Sequence, residues 1–227
     1  MKKSLASASL LLITFCGSCT LSRPQQAPHS IGPLTWNVDN LVSIGGHKTT
    51  MLGAPKVIQT HKGKAVRFHG KRDGLLVHAL PLAGAREFTL EILFRPDAGG
   101  AREQRFLHLQ QDASEHRILI ETRLTDDDRW YLDTYIETPK GSLALFNPES
   151  THPVGQWYSA ALVYDGRHMR HYVNGVEEKS GDLAFRPLGR GKTSIGVRMN
   201  QVFWFKGAIH RIRFTPRVLD VDNFLAP

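Results

Sequence analysis

The chain has 227 residues and a formal net charge of +8 at pH 7, with 20 glycines, 12 prolines and two cysteines. No window has the apolar period of a long amphipathic helix and no internal repeat stands out, which counts against helical bundles, solenoids and propellers. Many turns between short strands instead favour an all-β protein of a single domain. The positive charge favours an anionic partner, such as an acidic or sulfated glycan or a lipid headgroup, or simply keeps the protein in solution.

Residues 1–18 have the form of a bacterial signal peptide. Lys2 and Lys3 precede an uncharged apolar run that is too short to span a bilayer. Cys19 resembles the lipidated cysteine of a lipoprotein box, although Cys16 stands where that box usually has an aliphatic residue. We therefore expect an exported protein anchored to the cell envelope, at the outer membrane or in the periplasm, with ordinary secretion as the alternative. Export argues against nucleic acid as a partner, and loss of the two lysines lowers the net charge from +8 to +6.

Residues 19–33 include three prolines and predict an extended tether, which leaves residues 34–227 as the folded domain. The strands expected in the first half of this domain are 34–38, 64–69, 75–78, 88–95 and 105–111. We expect the second and third of these to form a hairpin, and residues 41–55 to form a loop. Strict alternation in the fourth strand directs its aromatic residues to the core and places Glu91 and Arg95 on a partly wet face.

Two further strands, 116–124 and 130–137, flank a polar turn and specify their own register. Pairing Leu124 with Trp130 puts the apolar side chains on one face, whereas a slip of one residue would set each of them against a polar one. The opposite face then carries seven charged or tyrosine side chains, here called the charged strip: Arg117, Glu121, Arg123, Tyr131, Asp133, Tyr135 and Glu137.

Within the charged strip, Glu121 is expected to lie directly opposite Asp133, with Cβ atoms about 5 Å apart. Two carboxylates at this distance repel each other unless a cation compensates their charge. In the expected pairing, Arg117 and Arg123 lie diagonally across from the two carboxylates and are near enough to compensate them. One interpretation of the strip is therefore an ion-pair network on a solvated sheet face.

The stretch 157–179 predicts a three-stranded meander, with turns at Asp165-Gly166 and Asn174-Gly175. Further strands are expected at 142–146, 193–199 and 205–215, and a helical turn at 218–225 that packs on a sheet edge. About a dozen short strands are typical of a two-sheet antiparallel jelly-roll sandwich.

Four pieces of this sequence resemble the laminin-G-like domains of the concanavalin A-like lectin/glucanase superfamily. They are the meander with its Y-D-G and V-N-G turns, and the segments 65–77, 88–96 and 194–219. The resemblance implies a jelly-roll sandwich and leaves the function open, because this fold hosts lectins, glycosidases, lyases and adhesion modules. The resemblance also suggests a calcium site that would include Asp73. In this family the closing strand usually supplies an aspartate, but here His210 stands at that position, and the loss of this carboxylate counts against Ca²⁺ binding.

The charged strip is the candidate ligand-binding site. Aromatic rings cover the apolar faces of sugars, while carboxylates and guanidinium groups bind the hydroxyls, and Glu91 and Arg95 are candidate additions. The predicted function is noncatalytic binding of a glycan or of an extracellular or envelope protein, with no cofactor and no metal. A hydrolase or lyase that uses Glu121, Asp133 or Glu137 is one alternative, and a purely structural protein-interaction module is the other.

Overall fold

The computed structural model describes residues 32–227, so the predicted signal peptide, Cys19 and nearly all of the tether lie outside the described residues. The described part contains seventeen strands and one 3₁₀ turn, Val221–Asn223. No helix in this part is long or apolar enough to cross a membrane. In chain order the strands are β1 (Leu34–Asn37), β2 (Ser43–Ile44), β3 (His47–Leu52), β4 (Lys56–Thr60), β5 (Gly63–His69), β6 (Gly74–Val77), β7 (Phe88–Pro96), β8 (Glu103–Gln111), β9 (Arg117–Leu124), β10 (Arg129–Thr138), β11 (Gly141–Phe146), β12 (His152–Pro153), β13 (Tyr158–Tyr164), β14 (His168–Val173), β15 (Val176–Asp182), β16 (Gly191–Ile195) and β17 (Lys206–Thr215).

These strands form two antiparallel sheets. The first sheet has the order β15-β14-β13-β7-β17-β5-β4, and β1 pairs with the second half of β17. The second sheet has the order β11-β10-β9-β8-β16-β6-β3-β2, and β12 pairs with one end of β10. The architecture confirms the predicted all-β, two-sheet jelly-roll sandwich, and the predicted meander is present as β13, β14 and β15.

Aromatic side chains from both sheets meet in the core. The ring of Phe94 on β7 stacks on that of Phe106 on β8 at 4.6 Å between centroids, and lies edge-on to Trp130 at 5.2 Å. Phe205 packs against Phe106 at 4.9 Å. The four side chains are fully buried, so they join the sheets directly beneath the strands that carry the charged strip.

Two predictions about the N-terminal half are wrong. β5 and β6 do not form a hairpin, because β5 pairs with β4 and β17 in the first sheet while β6 pairs with β3 and β16 in the second. The chain crosses between the sheets at residues 70–73, where the buried carboxylate of Asp73 accepts hydrogen bonds from the amides of Ala54 and His69. Residues 41–55 are not a loop but contain β2 and β3, since Gly45 and Gly46 form only the turn between these strands, with φ values of 59° and 81°.

Most of the outer face of β7 is buried, whereas alternation predicted a partly wet face. Glu91 is fully buried there, and its carboxylate accepts hydrogen bonds from Arg213 Nη2 and the amide of Leu225, each at 2.7 Å. The C-terminal tail therefore packs across a sheet face rather than on an edge, and Phe224 contacts the Tyr172 ring at 5.3 Å. Glu91 and Arg95 belong to the first sheet, so including them with the charged strip of the second sheet is wrong.

Candidate functional site

The register predicted for the charged strip is confirmed. β9 and β10 pair with Leu124 opposite Trp130 and Glu121 opposite Asp133, and Arg117 lies opposite Glu137. Leu124, Trp130 and the apolar residues that share their face of the hairpin lie in the core. The strip therefore occupies the outer face of the second sheet.

A cavity of about 330 Å³ opens over the middle of this face. Its lining residues are Arg105, Arg117, Leu119, Glu121, Arg123, Asp133, Tyr135, Ala144 and Arg198. Five of the seven strip residues thus share one cavity, whereas Tyr131 and Glu137 are not among its lining residues. We call this cavity the strip pocket.

The two opposed carboxylates of the strip pocket are buried, with Glu121 only 3% and Asp133 only 2% exposed. Arg105 Nε donates to Glu121 Oε1 at 2.8 Å, and Arg123 Nε donates to Asp133 Oδ2 at 2.6 Å. Glu103 lies between the two arginines, 2.8 Å from Arg123 Nη1 and 3.3 Å from Arg105 Nη2. Buried charges that are paired in this way hold the side chains of a sheet face in fixed positions.

Of the two arginines that were predicted to compensate these carboxylates, one is confirmed and the other is wrong. Arg123 does pair with Asp133, but Arg105 on β8, and not Arg117, pairs with Glu121. The register of one hairpin carries no information about β8, which is the third strand beside it. Glu103 and Arg105 are two residues apart at the start of β8, and this spacing is the sequence signal that could have added both to the charged strip.

Burial dominates the protonation of the two carboxyl groups. It raises the pKa of Glu121 to about 7, with a further rise from the charge of Asp133, while the charge and hydrogen bond of Arg105 act in the opposite direction. Burial also raises the pKa of Asp133, although the hydrogen bond and charge of Arg123 act in the opposite direction. Glu121 is therefore the member of the pair that takes up a proton near neutral pH.

We expect this protonation to appear as pH-dependent stability. The pKa of Glu121 is higher in the folded state than its ordinary value of 4.5, so ionising it costs more in the folded protein than in the unfolded chain. Relative to a Glu121→Gln variant, the free energy of unfolding of the wild type should fall by about 3 kcal/mol between pH 4.5 and 7 and change little above that range. Urea denaturation of both proteins across pH 4–8 measures the difference, and parallel curves would refute the assignment.

At the other end of the strip pocket, Arg117 and Glu137 fix the ring of Tyr135. Arg117 pairs with Glu137 and, through Nη1, with Glu115 Oε2 at 2.6 Å. The Tyr135 hydroxyl donates to Glu137 Oε2 at 3.0 Å, and the Arg117 guanidinium lies 5.3 Å from the centroid of the tyrosine ring. Tyr135 is thus held half-exposed as an aromatic wall of the pocket.

The loop between β16 and β17, residues 196–205, supplies a wall that the sequence pattern does not predict. The amide of Arg105 donates to the Phe203 carbonyl at 2.9 Å, and the Arg105 guanidinium stacks 3.7 Å from the Phe203 ring centroid. The amide of Met199 donates to Nδ1 of the buried His108 at 2.8 Å. These contacts bring Arg198 to the strip pocket, and nothing in the sequence indicates that this loop folds over β8.

Within residues 32–227, no group of three or more His, Cys, Asp or Glu side chains is arranged to hold a metal ion. Asp73 binds backbone amides and His69, as described above, and His210 Nδ1 lies 2.8 Å from the Lys64 carbonyl oxygen. Asp73 and His210, the two positions considered for a calcium site, thus both have partners within the protein. The absence of a cofactor stays a prediction.

Comparison with known proteins identifies the fold more closely. No curated protein sequence matches the chain. Domain 4 of an extracellular arabinanase from Geobacillus stearothermophilus, in complex with arabinotriose, is 19% identical at a TM-score of 0.64, covering 84% of this chain and 95% of that domain. A pentraxin from Limulus polyphemus is 16% identical at a TM-score of 0.55, covering 69% and 77%.

The binding domain of botulinum neurotoxin DC, in complex with SialylT, is 9% identical at a TM-score of 0.60, and the match covers 85% of this chain and 50% of that one. At these identities the likeness shows the fold alone. A family model described as the concanavalin A-like lectin/glucanases superfamily matches residues 69–223, which is more than half of the chain. The chain therefore belongs to the concanavalin A-like lectin/glucanases superfamily.

Proposed function

We propose that this protein is a noncatalytic glycan-binding module that uses the strip pocket and is held at the bacterial cell envelope through Cys19. The observation that carries the proposal is the lining of one cavity by an aromatic ring, four arginines and two carboxylates. Sugars need this combination, because their ring faces are apolar while their hydroxyls both donate and accept hydrogen bonds.

The similar structures support the proposal at the level of the fold. The arabinanase domain was solved with arabinotriose and the neurotoxin binding domain with SialylT. Sandwiches of this architecture therefore hold glycans in at least some proteins, although the fold does not by itself confer that function.

Hydrolysis is the competing function, and one observation favours it. The pKa of Glu121 is raised to about 7, as in a general acid, and Asp133 lies directly opposite. However, Arg105 occupies the Glu121 carboxylate and Arg123 occupies that of Asp133. A carboxyl group that must deliver a proton or attack a sugar is hindered by a fixed guanidinium partner, so the arrangement favours binding over cleavage.

A glycan array, screened with the purified protein in the presence and absence of Ca²⁺, tests the proposal. We expect binding to at least one glycan class, and no new reducing ends or unsaturated products when the bound glycan is incubated with the protein. Cleavage would instead establish the hydrolase or lyase alternative. Silence across the array would overturn glycan binding and favour a protein partner.

Replacement of Tyr135 locates the site. Tyr135→Ala should weaken binding of the array-positive glycan about tenfold or more, because the ring wall of the strip pocket is lost. Tyr135→Phe is the matched control, since it keeps the ring and removes only the hydroxyl that donates to Glu137. Titration calorimetry measures the affinities and thermal denaturation checks folding. Equal affinities for wild type and Tyr135→Ala would place the site elsewhere.

A further inference from the structure

We infer that the strip pocket binds the carboxylate or sulfate group of an acidic sugar, and that Arg198 is the residue that contacts it. This inference rests on the proposed function and narrows it to one chemical class of glycan. It comes from the hydrogen-bonding groups of the pocket that are left without partners.

Arg198 differs from the other three arginines of the pocket. Arg105, Arg117 and Arg123 each form ion pairs with carboxylates on the sheet. Arg198 is half-buried at the cavity wall, and no carboxylate of residues 32–227 lies within ion-pair distance of its guanidinium. Burial and the charges of Arg117 and Arg105 lower the pKa of Arg198, while the charges of Glu121 and Glu115 act in the opposite direction, so an anion beside the guanidinium favours its cationic form.

Other unsatisfied groups next to the pocket are donors as well. Arg105 Nη1 and Arg117 Nε are buried and, among the described residues, have no hydrogen-bond partner. His108 is also buried, and its Nδ1 accepts the amide of Met199, which leaves Nε2 as an unpartnered N–H. These atoms lie behind the pocket wall and are all donors, and a charged oxyanion is the strongest acceptor that a ligand can bring near them.

The acidic side chains nearby do not fill this role. Glu121 and Asp133 are fixed by Arg105 and Arg123, while Glu137 is held by Arg117 and Tyr135. Four arginines and two carboxylates line the pocket, and Glu103, Glu115 and Glu137 pair with three of these arginines from outside the lining. Arg198 is therefore the lining arginine that an entering anion meets without an ion-pair partner among the described residues. A planar guanidinium matches the two oxygens of a carboxylate or sulfate, which favours these groups over a neutral hydroxyl.

The rest of the cavity favours a sugar over a small inorganic anion. Tyr135, Leu119 and Ala144 provide apolar surface beside the arginines. A volume of about 330 Å³ lies at the lower end of the range for small-molecule sites, which leaves room for a sugar ring beside the anion.

The test compares acidic and neutral forms of the same glycan. Calorimetric titrations use oligogalacturonate and its methyl ester as the carboxylate pair, and a heparin-derived oligosaccharide and its desulfated form as the sulfate pair. We expect the wild type to bind at least one acidic form tenfold or more tightly than its neutral counterpart. Arg198→Gln should remove that preference by weakening binding of the acidic form far more than binding of the neutral form.

Arg86→Gln is the matched control, because Arg86 is exposed and the substitution changes the net charge equally. Equal binding of acidic and neutral forms, or equal effects of Arg198→Gln and Arg86→Gln, would overturn the inference while glycan binding stands. If none of the four probes binds, the inference also fails, and the wider array then decides whether the glycan-binding function fails with it. The pair that shows the preference identifies the anion as carboxylate or sulfate.

Discussion

Replacing Arg105 by methionine should lower the free energy of unfolding by about 3–5 kcal/mol at pH 8, which is a large part of the stability of a typical domain. Arg105 is the ion-pair partner of Glu121, and both side chains are largely buried. Without the guanidinium, Glu121 faces Asp133 with only Arg123 to compensate two carboxylates. Removing one partner of a buried pair is costly because the other charge remains in a poorly solvated site.

The pH dependence of this loss distinguishes charge from packing. Arg105 lowers the pKa of Glu121, so the variant should raise that pKa further and keep Glu121 neutral at pH 5. The destabilisation should therefore be about 1 kcal/mol larger at pH 8 than at pH 5, because Glu121 ionises in the wild type only around pH 7. Urea denaturation at the two pH values measures it, with Arg105→Lys as the control that retains a positive charge.

A second substitution completes the test. Glu121→Gln in the Arg105→Met background removes the uncompensated carboxylate and should recover most of the stability at pH 8. If it recovers nothing, and if the loss is the same at pH 5, the contribution of Arg105 comes from stacking on Phe203 and not from its charge.

The sequence predicted the centre of the candidate site because strand alternation encodes it. The apolar residues of β9 and β10 match only when Leu124 lies opposite Trp130, and this register places Glu121 against Asp133. The side chains that share this face of the hairpin can therefore be assigned from the sequence alone. Whether these residues bind a ligand stays a prediction.

The residues that complete the pocket could not be predicted in this way. Arg105 lies beside a register shift between residues 105 and 107 of β8, which interrupts simple alternation. Arg198 lies in a loop whose position depends on contacts with His108 and Arg105, and such long-range contacts leave no periodic pattern in the sequence.

Burial of Glu91 shows the same limit in the first sheet. Its alternating strand predicts a wet outer face, but the chain returns more than 120 residues later to cover that face with Arg213 and Leu225. Periodicity reports which side chains share a face, whereas it does not report what packs on that face.

The strip pocket depends in turn on the core beneath it, and Phe94 is the side chain that joins the two sheets there. Its ring stacks on Phe106, which is the residue next to Arg105 in β8, and meets Trp130, which is the residue before Tyr131 in β10. Positions of the outward-facing side chains therefore follow from the packing of their inward-facing neighbours.

Phe94→Ala should lower the free energy of unfolding by about 3–5 kcal/mol, because it removes a fully buried ring and leaves a cavity between two rigid sheets. Urea denaturation should show a lower midpoint with an unchanged slope. Phe146→Ala is the matched control, since Phe146 is 45% exposed on β11 and its loss should cost about 1 kcal/mol or less. Equal effects of the two substitutions would mean that the Phe94 cluster does not hold the sheets together, and that the pocket is positioned by its ion pairs alone.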